Sequence, residues 1–237
     1  WLLSLKNNYY SFRIIFIPET FGSLTYINKN LKKLKQNILA GFNITCIGDE
    51  RGYSLIPSRN ENTISDQVSR HVLKWTYKNY IEYTWLDRGS DERQYCSPGF
   101  NLPVGSLMRT PYDMFDEYHT SEDNLSFMNK ESLRDSFLKY IAVIKKLEDY
   151  FLVDIPKRKI PENKNSANNN PVFKNLIPKC EPQLGKRRIY DEIGGIKKQD
   201  SLEQKKAIQW ILNLSDGKNS LRDIQARSGL NYDILLD

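Results

Sequence analysis

The feature that most constrains this chain is its alternation of short apolar runs with longer amphipathic stretches. Phe12 to Ile17 (FRIIFI) is a continuous apolar run with one Arg, closed by Pro18. Such a run reads as a strand buried on both faces of a parallel sheet. A predicted helix over 22–35 follows, with Leu24, Ile27, Leu31 and Leu34 on one face and Lys29, Lys32, Lys33 and Lys35 elsewhere. Ile38–Ile47 is a second strand candidate, Ile81–Leu86 a third and Leu102–Met108 a fourth. Between them, Thr63 and Asp66 form a capping-box pair ahead of a stripe of Ile64, Val68, Val72 and Trp75. A long helix is predicted to carry Leu133, Phe137, Ile141, Ile144 and Leu147 on its apolar side. The expectation is an α/β fold with a mostly parallel sheet flanked by helices.

The second half reads differently. Lys157–Asn175 is polar, Asn-rich and interrupted by two prolines, and it lacks the apolar content to offset ordering. It is predicted to be a linker or loop and the main domain boundary. Ile177–Tyr190 regains some structure without a clear period. Ser201 is expected to cap a helix bearing Leu202, Ile208, Ile211 and Leu212, and Asp216-Gly217 marks a turn. Ser220 and Asp223 make a second capping box before Leu221, Ile224 and Ala226; Gly229 breaks that pattern, and Tyr232–Leu236 begins another helix. Two short helices about a Gly-containing turn suggest a helix-turn-helix. The expected division is 1–155 for the α/β domain, 156–195 for a basic linker and return segment, and 196–237 for the start of the small module.

Composition narrows the class. Aromatics make up 12% of the 237 residues, enough for a real core, and no run approaches the roughly 18 apolar residues of a membrane span. Residues 1–12 have neither a basic n-region nor a cleavage site, so they do not read as a signal peptide. The chain opens on Trp1 and closes at Asp237 inside a helical pattern, which suggests a piece of a longer chain with part of any site outside it. Cys46, Cys96 and Cys180 are far apart and odd in number, which suits a reducing cytoplasm and apolar filling better than disulfides. The net charge of +6 is concentrated in residues 156–206, where 13 Lys/Arg face 6 Asp/Glu, a surplus of +7 that leaves −1 for the rest. That segment is either a solvated linker or a surface for nucleic acid or another polyanion.

Three polar loops are candidates for chemistry. In open α/β sheets ligands sit beyond the carboxyl ends of strands. Glu19 follows the first apolar run and is placed to act as a general base; the alternative is a helix N-terminal carboxylate favoured by the dipole. Asp87–Tyr95 (DRGSDERQY) follows another strand candidate. It is either a solvated charge run or a site wall, with Asp91 or Glu92 towards a cation and Arg93 towards a carboxylate. The third loop, EYHTSEDN, carries Tyr118 and His119 among acceptors. Of the two histidines, His71 lies in a helix beside Val72 and Trp75 and reads as packing, whereas His119 is the better metal-ligand candidate.

The stretches PETFGSLTYI, LAGFNITCIGDERGYSLIPSR, LDRGSDERQYCSPGFNLPVGSLMRT, EYHTSEDN and CEPQLGKR resemble a bacterial polysaccharide-biosynthesis-associated family with a zinc aminopeptidase-like domain and a C-terminal winged helix. The resemblance runs in family order over nearly the whole chain. It implies Glu19 as general base, with Thr20 where a metal-binding Glu is usual and Thr45 where another metal-binding carboxylate is usual. It also implies His119 as a metal ligand, Ser90-Asp91 as a loop bordering the substrate pocket, and Asp91, Arg93, Tyr95 and Tyr118 as pocket residues. A further His and Asp would precede Trp1. One zinc, held by three protein ligands with a water in the open position, is the implied cofactor. It would lower the pKa of that water towards 7 for attack on a peptide or amide bond.

Two functions remain open at this stage. One is a metal-dependent aminopeptidase-like hydrolase. The other is a non-catalytic metal- or small-ligand-binding module that reports through the winged helix to DNA or protein. Only Lys218, Arg222 and Arg227 are basic in 207–237, which is sparse for a groove reader.

Overall fold

The structure is a computed structural model that describes residues 1–149, 170–180, 184 and 199–236. They fall into two compact units, one formed by 1–92 and 102–158, the other by 93–101 and 159–237.

In the first unit the helices are α1 (Phe21–Asn37), α2 (Ile64–Thr76), α3 (Glu92–Tyr95, which continues into the second unit) and α4 (Lys130–Glu148). The strands are β1 (Gly41–Phe42), β2 (Ser54–Ile56), β3 (Ile81–Glu82) and β4 (Val104–Met108), in sheet order β1-β4-β2-β3. β1 pairs with β4 and β2 with β3 in parallel, whereas β2 and β4 are antiparallel, with Leu55 opposite Leu107. The sheet is thus mostly parallel, as expected. β2 lies in a stretch that carries no alternating pattern, and its three residues are all buried.

Alternation along β2 and β4 separates two faces. Leu55 and Leu107 point into the main core with Tyr53, Val68, Val72, Leu73, Tyr140, Val143 and Leu147 from α2, α4 and the approach to β2. Burying such side chains contributes about 1.5–3 kcal/mol each. Ile56 and Met108 point the other way, onto Tyr112, with Cys46, Tyr83 and Tyr118 packed around them. The second face carries the candidate site.

α2 begins with the expected capping box between Thr63 and Asp66. Asp66 is fully buried and also accepts from the Ser58 amide at 2.7 Å and the Ser58 hydroxyl at 2.6 Å, so one carboxylate caps the helix and fixes the turn after β2. Trp75 is 72% exposed, and Leu73 takes the core place expected for it. α4 is rotated by about one residue from the predicted stripe. Its buried face is Ser132, Ser136, Lys139, Tyr140, Val143 and Leu147, and Phe137 is exposed. That polar-looking face can be buried because it is bonded: Ser136 donates to the Ile47 carbonyl at 2.8 Å and Tyr140 to the Leu107 carbonyl at 2.6 Å.

The largest departure from the sequence reading is at residues 12–17. They form no strand and pair with no strand among the described residues; Phe16 is 94% exposed and Ile14 64%. An apolar run specifies a wish for burial, but a strand also needs its ladder hydrogen bonds, and residues 12–17 make none with the four-stranded sheet. The runs at 38–47 and 81–86 are likewise reduced to two-residue strands, the second passing into a 3-10 turn at Trp85–Asp87.

In the second unit β5 (Val172–Lys174) pairs antiparallel with β6 (Asp216–Ser220), beside α5 (Gln199–Leu214), α6 (Leu221–Ser228) and α7 (Tyr232–Leu236). α5 starts before Ser201, so Ser201 is an interior helix residue and not the cap. Asp216-Gly217 does turn the chain, Asp216 accepting from the Lys218 and Asn219 amides, but within β6. α6 has the expected Ser220–Asp223 capping box and ends on Gly229 at φ 71°, a left-handed position suited to glycine. Trp210, Leu214, Leu221, Ile224 and Leu235 are buried. Most of the basic segment 156–206 lies outside the described residues; β5 falls within the part of it that was expected to be a loop.

Candidate active site

The loop before α1 is built around an unusual backbone. Thr20 has φ 60° and ψ −68°, and the Phe21 amide donates to the Glu19 carbonyl at 2.7 Å across it, a γ-turn. A β-branched residue at positive φ is costly, on the order of 1–3 kcal/mol. The Thr20 amide is held by the Asp91 carboxylate at 2.8 Å. That bond ties the Glu19 loop to the DRGSD loop, and Glu19 itself stands exposed at the turn. Asp91 therefore anchors backbone and has one oxygen committed.

Glu92 is fully buried and faces inward rather than towards a cation. One of its oxygens accepts from the Gly89 amide at 2.9 Å and the Ser90 amide at 3.1 Å, which shapes the loop. The other accepts from the Asn43 side chain at 2.8 Å, just past β1, with the Tyr112 hydroxyl at 3.5 Å. Burial and the adjacent Glu92 charge push the Tyr112 phenol up, so it stays a proton donor. Its ring fills the space left by Gly89, where an added Cβ would lie 2.4 Å from Tyr112 Cδ2.

Tyr112 leads to the third loop. Its ring lies 6.4 Å from that of Tyr118, which stacks on the His119 imidazole at 4.0 Å and 16°. His119 has φ 57° and is exposed. A continuous set of contacts thus runs from the Glu19 turn through Asp91, Glu92, Tyr112 and Tyr118 to His119, all within the first unit. Arg93 and Tyr95 fall instead in the second unit, which also includes Ser97 and Cys180. Asn43 and Tyr112 were not singled out from sequence: Asn43 lay inside the strand candidate Ile38–Ile47, and only the shorter β1 leaves it at a strand end.

Cysteine chemistry does not fit this region. Burial above all pushes the Cys46 thiol up; the Thr45 hydrogen bond opposes this, and the charges of Asp49, Asp123 and Glu92 add to it, so the thiol stays protonated. His71 lies on α2 with its ring 6.3 Å from Trp75, and partial burial with Lys146 and Lys74 nearby lowers its pKa, as befits a packing residue. The donors for a metal are incomplete: among the described residues no three His, Cys, Asp or Glu side chains are grouped to hold an ion. The two positions at which the resemblance implies metal-binding carboxylates carry Thr20 and Thr45, and Asp91 is engaged by backbone. The described residues do not by themselves fit a zinc site.

The first unit is a mixed α/β domain with a mostly parallel sheet flanked by helices, and a segment that matches a winged-helix family follows it in the chain. Residues 1–150 match the family described as "Domain of unknown function (DUF4910)", and the chain belongs to that family. Residues 171–237 match the family described as "winged helix-turn-helix". A Clostridium acetobutylicum protein named "Putative polysaccharide biosynthesis protein with aminopeptidase-like domain" is 44% identical over 230 residues, covering 97% of this chain and 48% of that protein. A solved structure described as a "putative peptidase" from Clostridium acetobutylicum is 40% identical, with a TM-score of 0.59, covering 99% of this chain and 46% of that one. An aminopeptidase from Aneurinibacillus sp. strain AM-1 aligns at 15% identity and a TM-score of 0.43, over 59% of this chain and 34% of its own. The chain spans about half the length of the two Clostridium relatives. Among the described residues no helix is long and apolar enough to cross a membrane.

Proposed function

We propose that this chain supplies one rim of the active site of an aminopeptidase-like hydrolase acting on a peptide or amide bond, in a protein linked to polysaccharide biosynthesis. The observation that supports the reading is the 2.8 Å bond from the Thr20 amide to Asp91, which joins the turn bearing the exposed Glu19 to the DRGSD loop. Glu19 takes a proton from the attacking water and returns one to the leaving amine. Asp91 holds the turn that carries Glu19, and Tyr118 contacts the substrate from the same unit. A single zinc on His119 belongs to this reading only together with ligands outside the described residues. Such an ion would polarise the scissile carbonyl. Glu19→Gln in the whole protein is expected to lower turnover of aminoacyl amides by about 10²–10⁴-fold with the fold intact by circular dichroism. Unchanged turnover would remove Glu19 as the base.

A second reading is a binding module coupled to the winged helix, and the missing carboxylates at Thr20 and Thr45 favour it. In the second unit the Arg222 guanidinium lies over the Tyr232 ring at 4.0 Å and that of Arg227 lies 6.0 Å from the Trp210 ring. Those two arginines and Lys218 are the only basic residues in 207–237, which is sparse for a groove reader and favours a protein partner over DNA. Titrating the whole chain with duplex DNA at several salt concentrations tests this. A steep salt slope, near −0.9 per phosphate neutralised, would restore the DNA reading.

A further inference from the structure

The loop from Thr110 to Asn129, which carries Tyr118 and His119, joins β4 to α4 without secondary structure of its own. One segment, Gly48–Arg51, holds it at both ends. Asp49 accepts from the Thr110 hydroxyl at 2.8 Å and the Thr110 amide at 3.2 Å. The Asn129 amide donates to the Gly48 carbonyl at 2.8 Å, and its side chain bonds Glu50. Arg51 reaches the middle. Its guanidinium lies 5.8 Å from the Phe115 ring and 5.3 Å from the Phe127 ring, and these two rings stack on each other at 5.3 Å and 15°. The same group faces the Glu117 carboxylate at 3.5 Å. Phe115 meets Tyr118 edge to face at 5.4 Å, and Tyr118 stacks on His119. The Arg51 carbonyl is in turn fixed by the buried Arg109 at 2.8 Å.

We propose that Arg51 is a positioning residue for His119: it clasps the Phe115–Phe127 stack that closes the loop and so sets Tyr118 and the imidazole resting on it. The part of this that concerns catalysis rests on the hydrolase reading above. A planar guanidinium suits the role because it can lie against two rings while bonding a carboxylate, which an ammonium does less well. Glu117 alone would not hold the loop, since an ion pair this exposed contributes little.

The chain has two histidines, so its proton spectrum has two sets of imidazole signals, and His71 on α2 serves as an internal reference. At one fixed pH, Arg51→Ala is expected to shift or broaden the His119 signals and leave those of His71 in place, with Arg51→Lys intermediate. Should Arg51→Ala fail to fold, Phe115→Leu carries the same test, because it removes the ring that links Arg51 to Tyr118. In the whole protein, Arg51→Ala is expected to lower kcat by about 10–100-fold with KM little changed, in keeping with a displaced reacting group. A His119 signal that stays in place, or one that moves together with His71, overturns the positioning role. If the His119 signal moves in Arg51→Ala while the whole protein without the substitution shows no hydrolysis, the positioning role stands and the hydrolase reading alone is removed.

Discussion

Two apolar runs of this chain, Phe12–Ile17 and Val104–Met108, read much alike in sequence and end in opposite states. The second is the hub of the sheet, buried at all five residues and paired on both sides, parallel to β1 and antiparallel to β2. The first is largely exposed and outside the sheet. Apolar content is therefore not what separates them. β4 has a paired strand on each side and packs Leu107 and Met108 into apolar clusters on its two faces. Residues 12–17 have the side chains of a strand without the neighbours that would make them one.

The comparison is sharpest at Leu107, which is fully buried at the centre of the core. Leu107→Ala is expected to cost about 2–5 kcal/mol in urea unfolding. A cost below 1 kcal/mol would mean that β4 does not organise the domain.

Next in size is Asp135 on α4, which faces the buried Arg109 just past β4. Arg109 donates to Asp135 at 3.2 Å, to the Tyr53 hydroxyl at 3.2 Å and to the Ser136 hydroxyl at 3.1 Å, while Lys139 meets Asp135 at 2.8 Å. Asp135→Asn leaves the buried guanidinium short of its counter-charge. About 2 kcal/mol is expected, less than for a fully buried pair because this carboxylate is half exposed. Burial opposes ionisation of Asp135, but bonds from Lys139 and Tyr53 and the Arg109 charge outweigh it and hold the carboxyl below its usual range. Its contribution is present above the unfolded pKa and is lost as pH falls through the lowered folded value. The Asn variant is expected to show a flatter acid limb in stability against pH; an unchanged limb would show the carboxylate to be uncoupled from folding. Burial above all raises the Tyr53 phenol to about 12; Asp135 adds to this, while the Ser136 bond and the Arg109 charge oppose it.

The smallest effect is expected at Phe16. Phe16→Ser at a 94% exposed position is expected to change stability by less than about 0.5 kcal/mol. A loss above 1 kcal/mol would break the comparison, because it would show that residues 12–17 are packed in solution.

What could be read from the chain beforehand follows the same physics. The capping boxes at Thr63 and Ser220 are local, and both form as expected. The α/β class and the winged helix were legible from periodicity and resemblance. β2 was not, because three residues buried on both faces have no alternation to display. The α4 face was misjudged because Ser132, Ser136 and Lys139 are buried through hydrogen bonds and a salt bridge, not through hydrophobicity. At the candidate site, the loops bearing Glu19, Asp91 and His119 were visible as polar breaks after strand candidates. Glu92, Asn43 and Tyr112, which knit those loops together, act through contacts between residues 20 to 69 positions apart, and one chain read in order gives no sign of such pairings.

Gly89 shows how far a single atom reaches in this arrangement. A methyl group there would strike the ring of Tyr112 and drive its hydroxyl away from Glu92. The same ring faces Tyr118, on which the His119 imidazole rests. Position 89 is thus closed to sequence drift, and an alanine scan that passed over glycines would miss one of the most sensitive places on this rim.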